Sequence, residues 1–254
     1  RRTCGEGTLL GFTLVQIAVA LIATLAAAYV RGLAGFGMAI LLVPVLALAL
    51  SPVEAVLVAN MLGAMIGASE IARLVREAER SAFTISGLVL LATAPGLYAL
   101  SVTDVSLARL LIALVALSAF GAMMLPMRDS APPGRVSTVT TGLASGLLTG
   151  FAGMPGPPVV PFYVRRHIPR VTAKASMVLV FTCASCAGIG SGLAFGVMTW
   201  RLALLALALF PVVLLGNWLG AKMSGKIGDT AWRVFAATVL GAAAFAALLK
   251  LLQG

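Results

Sequence analysis

The chain has 254 residues, 61% of them hydrophobic and only 10% charged, with 18 Lys and Arg against 8 Asp and Glu. Soluble domains are about half apolar and about a quarter charged, so this composition excludes a soluble enzyme and gives a polytopic membrane protein. The positive surplus sits in short gaps between apolar runs, which reads as positive-inside topology and excludes a nucleic-acid partner.

Taken in order, the chain opens Arg-Arg-Thr-Cys without Met, so its start is expected to be trimmed, and the apolar run 11–30 reads as structure and not as a cleaved signal. A spanning helix needs about 20 apolar residues, because ~30 Å of hydrocarbon is crossed at ~1.5 Å per residue. Runs at 53–72, 83–100, 106–125, 171–196, 202–220 and 231–252 meet that standard, and 11–30 is a seventh candidate. Two stretches are different. Residues 38–50 follow "GLAGFG", and 138–163 are broken by "GFAGMPGPP", whose prolines cannot donate to a helix ladder.

The second stretch offers about 12 residues before its break and fewer than about 10 after it, each roughly half a bilayer, so a re-entrant hairpin is expected. Irregular backbone at that depth must be buried in protein or line a polar cavity. The gaps holding Arg73, Arg76 and Arg80, Arg128 and Arg135, Arg165, Arg166 and Arg170, and Lys222, Lys226 and Arg233 all read as cytoplasmic. Segment 138–163 then begins and ends in the cytoplasm, while the N-terminus falls outside, where Arg1 and Arg2 fit less well.

The halves also resemble each other. "VPVLALALSPVEAV" aligns with "VPFYVRRHIPRVTA", pairing Pro44 with Pro161 and Pro52 with Pro169; Gly35-Phe36 pairs with Gly150-Phe151 if the second copy carries two extra residues. Each half reads as a Gly-Phe hairpin plus three spans, an odd number, so the second half is inverted relative to the first. The rival, one broken crossing per half, gives four crossings and parallel repeats. The fold class expected is therefore an all-α polytopic membrane protein of two repeats. It forms a single transport domain over 1–254, with a first repeat at 11–125, a cytoplasmic linker at 126–137 and a second repeat at 138–252.

Two Gly-rich breaks meeting near the midplane would aim unpaired N–H groups and positive dipole ends at a common centre, which suits a small anion. The bland alternative is that these glycines only let helices pack. Substrate contact is expected from Gly35, Phe36 and Gly37 at the first break, and from Gly150, Phe151, Gly153, Met154 and Gly156 at the second. Arg31, one turn before Gly35, either binds an oxyanion or snorkels at a helix end. Lys174 either faces the vestibule or belongs to the cytoplasmic loop. Asn60 and Asn217 lie in apolar spans, bonded either between helices or in the cavity; Thr182 and Ser185 fall under the same argument.

Cys183-x-x-Cys186 places two small side chains on one helix face, Cys4 stands apart, and His167 is alone in an Arg-rich loop, so no metal, cofactor or disulfide framework is expected. Glu54, Glu70, Asp104 and Asp229 fall at or near span ends, leaving no carboxylate placed for a proton relay.

"GLAGFGMAILLVPVLAL" followed by "SPVEAV", and "GLLTGFAGMPGPPVVPFYV" followed by "IPRVTA", resemble the sulfite exporter (TauE/SafE) family, also called the sulfonate uptake permease family, over nearly the whole chain. The resemblance implies a multi-pass transporter in the bacterial inner membrane for small sulfur-containing or organic anions, and not an enzyme. Where the family commonly has a run of glycines, this chain has "GMPGPP", with fewer backbone donors. The reading is export of sulfite or a sulfonate by alternating access around the two breaks. The alternatives are proton-coupled uptake of a sulfonate or another organic anion, a sulfur relay through Cys183 and Cys186, and a scaffold subunit without transport. The expected partners are a small anion and the lipid bilayer, and a homodimer is allowed.

Overall fold

A computed structural model describes residues 8–9, 11–34, 37–124, 134–164, 168–223 and 229–253. A short antiparallel pair, β1 (Thr8–Leu9) with β2 (Phe12–Thr13), leads into the helices. These are α1 (Leu14–Ala34), α2 (Met38–Ala49), α3 (Pro52–Ala68), α4 (Ile71–Glu77), α5 (Arg80–Val102) and α6 (Val105–Met124), then α7 (Arg135–Ala152), α8 (Gly156–Val164), α9 (Arg170–Ala194), α10 (Trp200–Met223) and α11 (Asp229–Gln253). Among the described residues, α1, α5, α9 and α10 are long and apolar enough to cross a membrane, and α3 with α4 makes a fifth candidate. The chain is an all-α polytopic membrane protein.

Two expectations about lengths need correction. The run 53–72 is not one straight span, because α3 and α4 meet at a bend of 75°. The Ser69 hydroxyl donates to the Ile66 carbonyl at 2.7 Å and the Glu70 N–H to the Gly67 carbonyl at 3.1 Å, closing a turn that ends α3. The first limb of the second break is also longer than half a bilayer. α7 has 18 residues, about 27 Å, whereas α8 has 9, about 14 Å. The helix extends through its hydroxyl-rich start because Thr138 donates back to the Gly134 carbonyl and Thr140 to that of Val136, keeping these polar groups satisfied.

Both breaks fold the chain back on itself. Gln16, near the start of α1, donates from Nε2 to the Ala49 carbonyl at the end of α2, at 2.9 Å. A helix continuing in one direction over those 33 positions would carry the two about 50 Å apart. In the second half the Tyr163 hydroxyl, at the end of α8, lies 3.0 Å from the Ser81 hydroxyl at the start of α5. The start of α7 lies beside the same part of α5, with Gly142 against Leu88.

Small residues set the helix spacing, because without a hydrophobic drive between helices in lipid, close backbone contact supplies the attraction. Gly142, Gly146 and Gly150 lay α7 along α5 in parallel, opposite Leu88, Ala92 and Thr93 in turn. Gly216 and Gly220 lay α10 along α1 in the same sense, opposite Ala28 and Gly32. At the centre α3 and α9 run antiparallel and interlock. Leu57 meets Gly192, Asn60 meets Gly188, Ser185 meets Gly63 and Thr182 meets Gly67, each side chain occupying the space a Cβ would need.

Local signals start and stop these elements. Ser51 and Glu54 form a capping box at the start of α3, with Pro52 in the first turn. Asp104 Oδ1 accepts the N–H groups of Ser106 and Leu107 at the start of α6. The last carbonyls of α2 are held by Arg109 from α6, which donates from Nε to Ala47 at 2.6 Å and from Nη2 to Leu50 at 3.4 Å. A cation at that end also complements the helix dipole.

Candidate functional site

A cavity and its mouth, about 750 Å³ together, lie where the two hairpins approach the α3–α9 pair. α2 enters it by its N-terminus. Gly37, with φ at 94°, turns the chain into the helix and has no side-chain cap, and Gly37, Met38, Ala39 and Ile40 all line the cavity. The N–H groups of the first helical turn have no intrahelical acceptor, so three backbone donors and the positive dipole end are available there. α8 approaches by its N-terminus too, through Pro155 and Gly156, after Gly153 (φ 67°) has ended α7. Its first three residues are Gly156, Pro157 and Pro158, so only one of them carries an N–H.

The wall between the hairpins comes from α3 and α9. Asn60 stands halfway along α3 and is 2% exposed, and its Nδ2 has no hydrogen-bond partner among the described residues. A buried donor left unmade costs about 1–3 kcal/mol, and this one is packed against Gly188 of α9, beside the cavity wall. Ser185 and Thr182 line the same wall, Thr182 donating to the Val178 carbonyl at 2.8 Å and keeping its lone pairs for a second partner. Ile66, Val178 and Phe181 make the remaining surface apolar. Arg31, in the last turn of α1, borders the cavity and donates a long 3.4 Å bond to Asn217 Oδ1 of α10.

The residues expected from sequence therefore separate into groups. Arg31, Gly37, Asn60, Gly153, Gly156, Thr182 and Ser185 come together on one cavity. Gly35 and Phe36 lie outside the described residues. Gly150 is placed elsewhere, with its Cα face against the backbone of Thr93, Gly96 and Leu97 on α5, where a Cβ would collide. Phe151 packs against the buried apolar core that includes Leu42, Val56 and Leu97, and Met154 is fully buried within it. Lys174 and Asn217 line a neighbouring polar recess with Arg31, Glu70 and Arg73. Cys183 packs against the buried apolar group that includes Ile85, Val160 and Tyr163, and Cys186 is exposed. Of the carboxylates, Glu54 caps α3, Asp104 caps α6, and Glu70 pairs with Arg73 at 3.4 Å. His167 also lies outside the described residues, among which no cluster suits a metal ion.

A family profile described as Sulfite exporter TauE/SafE matches residues 19–247. The chain belongs to that family. As a TauE/SafE member with several membrane-length apolar helices, it is a multi-pass membrane protein of a transporter family. No curated protein and no solved structure matches it.

Other residues of this TauE/SafE protein shape the cavity without a local sequence signal. Gly63 and Gly67 admit the hydroxyls of Ser185 and Thr182 against α3, and Gly188 admits the Asn60 amide against α9. The spacing of four in Gly63-x-x-x-Gly67 and Gly188-x-x-x-Gly192 is a visible small-residue pattern, but it marks packing in any membrane helix. Arg109 reaches the end of α2 from 62 residues away in sequence, and nothing local to it announces that contact.

Proposed function

We propose that the protein exports small sulfur-containing anions, such as sulfite or organosulfonates, across a bacterial inner membrane by alternating access around the starts of α2 and α8. The observation that carries this reading is the convergence on one cavity of the uncapped α2 N-terminus, the unpartnered Asn60 amide and the Arg31 guanidinium. Each is a donor without a competing carboxylate on the cavity wall, and together they match an oxyanion in charge and hydrogen-bond sense.

The alternating-access part of the proposal takes the two halves as inverted repeats, and the way the hairpins pack supports it. On this reading α1 with α2 and α7 with α8 are the corresponding hairpins: α1 packs along α10 as α7 packs along α5, and α3 and α9 cross at the centre. Such an arrangement lets one half rock against the other around a fixed midplane site. Export needs no coupling ion, because a potential negative inside contributes about 2.3 kcal/mol per charge per 100 mV, roughly fifty-fold in concentration, in the outward direction for an anion. The carboxylates already engaged at helix ends and with Arg73 agree with an uncoupled mechanism.

Reconstituted vesicles test the proposal. Sulfite or methanesulfonate flux should follow an imposed potential and persist without a proton gradient. Flux that ignores the potential and requires the proton gradient overturns export in favour of coupled uptake, and the absence of any anion flux overturns transport of this class. Replacing Cys183 and Cys186 together by Ser should leave the flux intact, whereas its loss would favour a sulfur relay.

A further inference from the structure

Next to the central cavity, a second recess of about 570 Å³ opens between α1, α4, α9 and α10. Its cations come from three elements: Arg31 from α1, Arg73 from α4 and Lys174 from α9, against a single carboxylate, Glu70. Arg73 is already neutralised, 3.4 Å from Glu70 and 3.4 Å from Glu77. Lys174 makes no ion pair or hydrogen bond among the described residues, and Arg31 has the long bond to Asn217 and an electrostatic attraction to Glu70 that it shares with Arg73. The recess thus holds two positive charges in excess of what its own carboxylate compensates. Arg31 and Val178 are shared by the recess and the cavity, so these two side chains form the partition between them.

We infer that this recess is a second anion-binding site, in series with the cavity, from which Arg31 passes the anion across the partition. The inference rests on the transport reading above and extends it. A net excess of two positive charges facing a solvent-open concavity with low-dielectric helix walls focuses the field there, which raises the local concentration of a mobile anion. The Arg31–Asn217 bond is long enough to exchange at little cost for a charge-assisted bond to an oxyanion on either side. Glu70 keeps the recess from holding the anion tightly, which a transit site requires.

The test reads charge in the recess and needs no transport. In protein whose three cysteines are replaced by serine, Ala221→Cys places a thiol on the recess lining. An anionic methanethiosulfonate reagent should modify it about tenfold faster than a cationic one after normalisation to a free thiol, with the preference shrinking as salt is raised. Lys174→Gln should reduce that preference several-fold, Lys174→Arg should restore it, and Glu70→Gln should increase it. Equal rates for the two reagents, or a preference unmoved by Lys174→Gln, overturn the inference. In vesicles Lys174→Gln should raise the KM for the anion with little change in maximal flux; a lower maximal flux at unchanged KM also overturns it. A charge preference at the introduced thiol with no anion flux in any vesicle would instead sink the transport reading and leave the recess standing as an anion site.

Discussion

The two hairpins pack alike, each laying its long limb along a helix of the other half of the chain, but are built from different chemistry. The start of α2 offers Met38, Ala39 and Ile40 as backbone donors, lies on the same cavity as Arg31 and has its far end held by the Arg109 guanidinium. The start of α8 offers Gly156 followed by two prolines, and its far end rests on a neutral contact between Tyr163 and Ser81. What the second hairpin has instead is packing: its long limb α7 lies against α5 over three glycines in succession. Under the proposed function, binding falls mainly to the first hairpin and rigid support to the second.

The strongest break in the comparison should come from the supporting side. Gly150→Val drives a side chain into the backbone of α5, and the overpacking should cost about 3 kcal/mol or prevent folding, read as a lowered melting temperature and loss of the monodisperse protein in detergent. If the variant folds normally, α7 is not held in place by its glycine face. Gly37, with open space where a Cβ would point, should show no such collision penalty with Ala, although its positive φ will cost about 1 kcal/mol.

Next comes the donor count. Ala39→Pro removes one N–H from the first turn of α2, a position where α8 itself tolerates proline, and should weaken binding of a small oxyanion about tenfold with little change in stability. Pro158→Ala, which adds a donor to α8, should change affinity no more than about twofold if the anion sits at α2. Equal effects from both would erase the distinction between the hairpins.

The anchors give smaller and graded effects. Arg109→Gln frees the last carbonyls of α2 and should lower stability by about 1.5–3 kcal/mol, whereas Tyr163→Phe removes a neutral hydroxyl contact and should cost about 1 kcal/mol, both read by chemical or thermal unfolding. The order of these two is the informative part: a larger loss from Tyr163→Phe would mean that the second hairpin is the more tightly anchored one.

How much of this could be read from the sequence depends on whether the physical cause was local. The spans at 11–30, 83–100, 171–196 and 202–220, and a helix break in each half, were legible because hydropathy and helix breaking act over one segment. Asn60, Thr182 and Ser185 were legible as polar groups that apolar spans must satisfy somehow. The bend after Ala68 was not, since "GASE" reads as a tolerable interruption until Ser69 and Glu70 close their turn. Nor was the role of Gly150, which carries the same Gly-Phe signature as the first break yet spends its missing side chain on α5. The partners Gly63, Gly67 and Gly188 become meaningful only when α3 and α9 are placed side by side.

The central claim is that a small oxyanion binds between the α2 N-terminus and Asn60. The most direct measurement is the anion-dependent thermal stabilisation of the purified protein, compared between wild type and Asn60→Leu at matched ionic strength. Sulfite or methanesulfonate should raise the melting temperature of the wild type in a saturable way, as a ligand of the native state must, and that rise should vanish in Asn60→Leu while the anion-free melting temperature is kept or increased. An equal, saturable rise in both proteins would contradict the account and place the anion elsewhere.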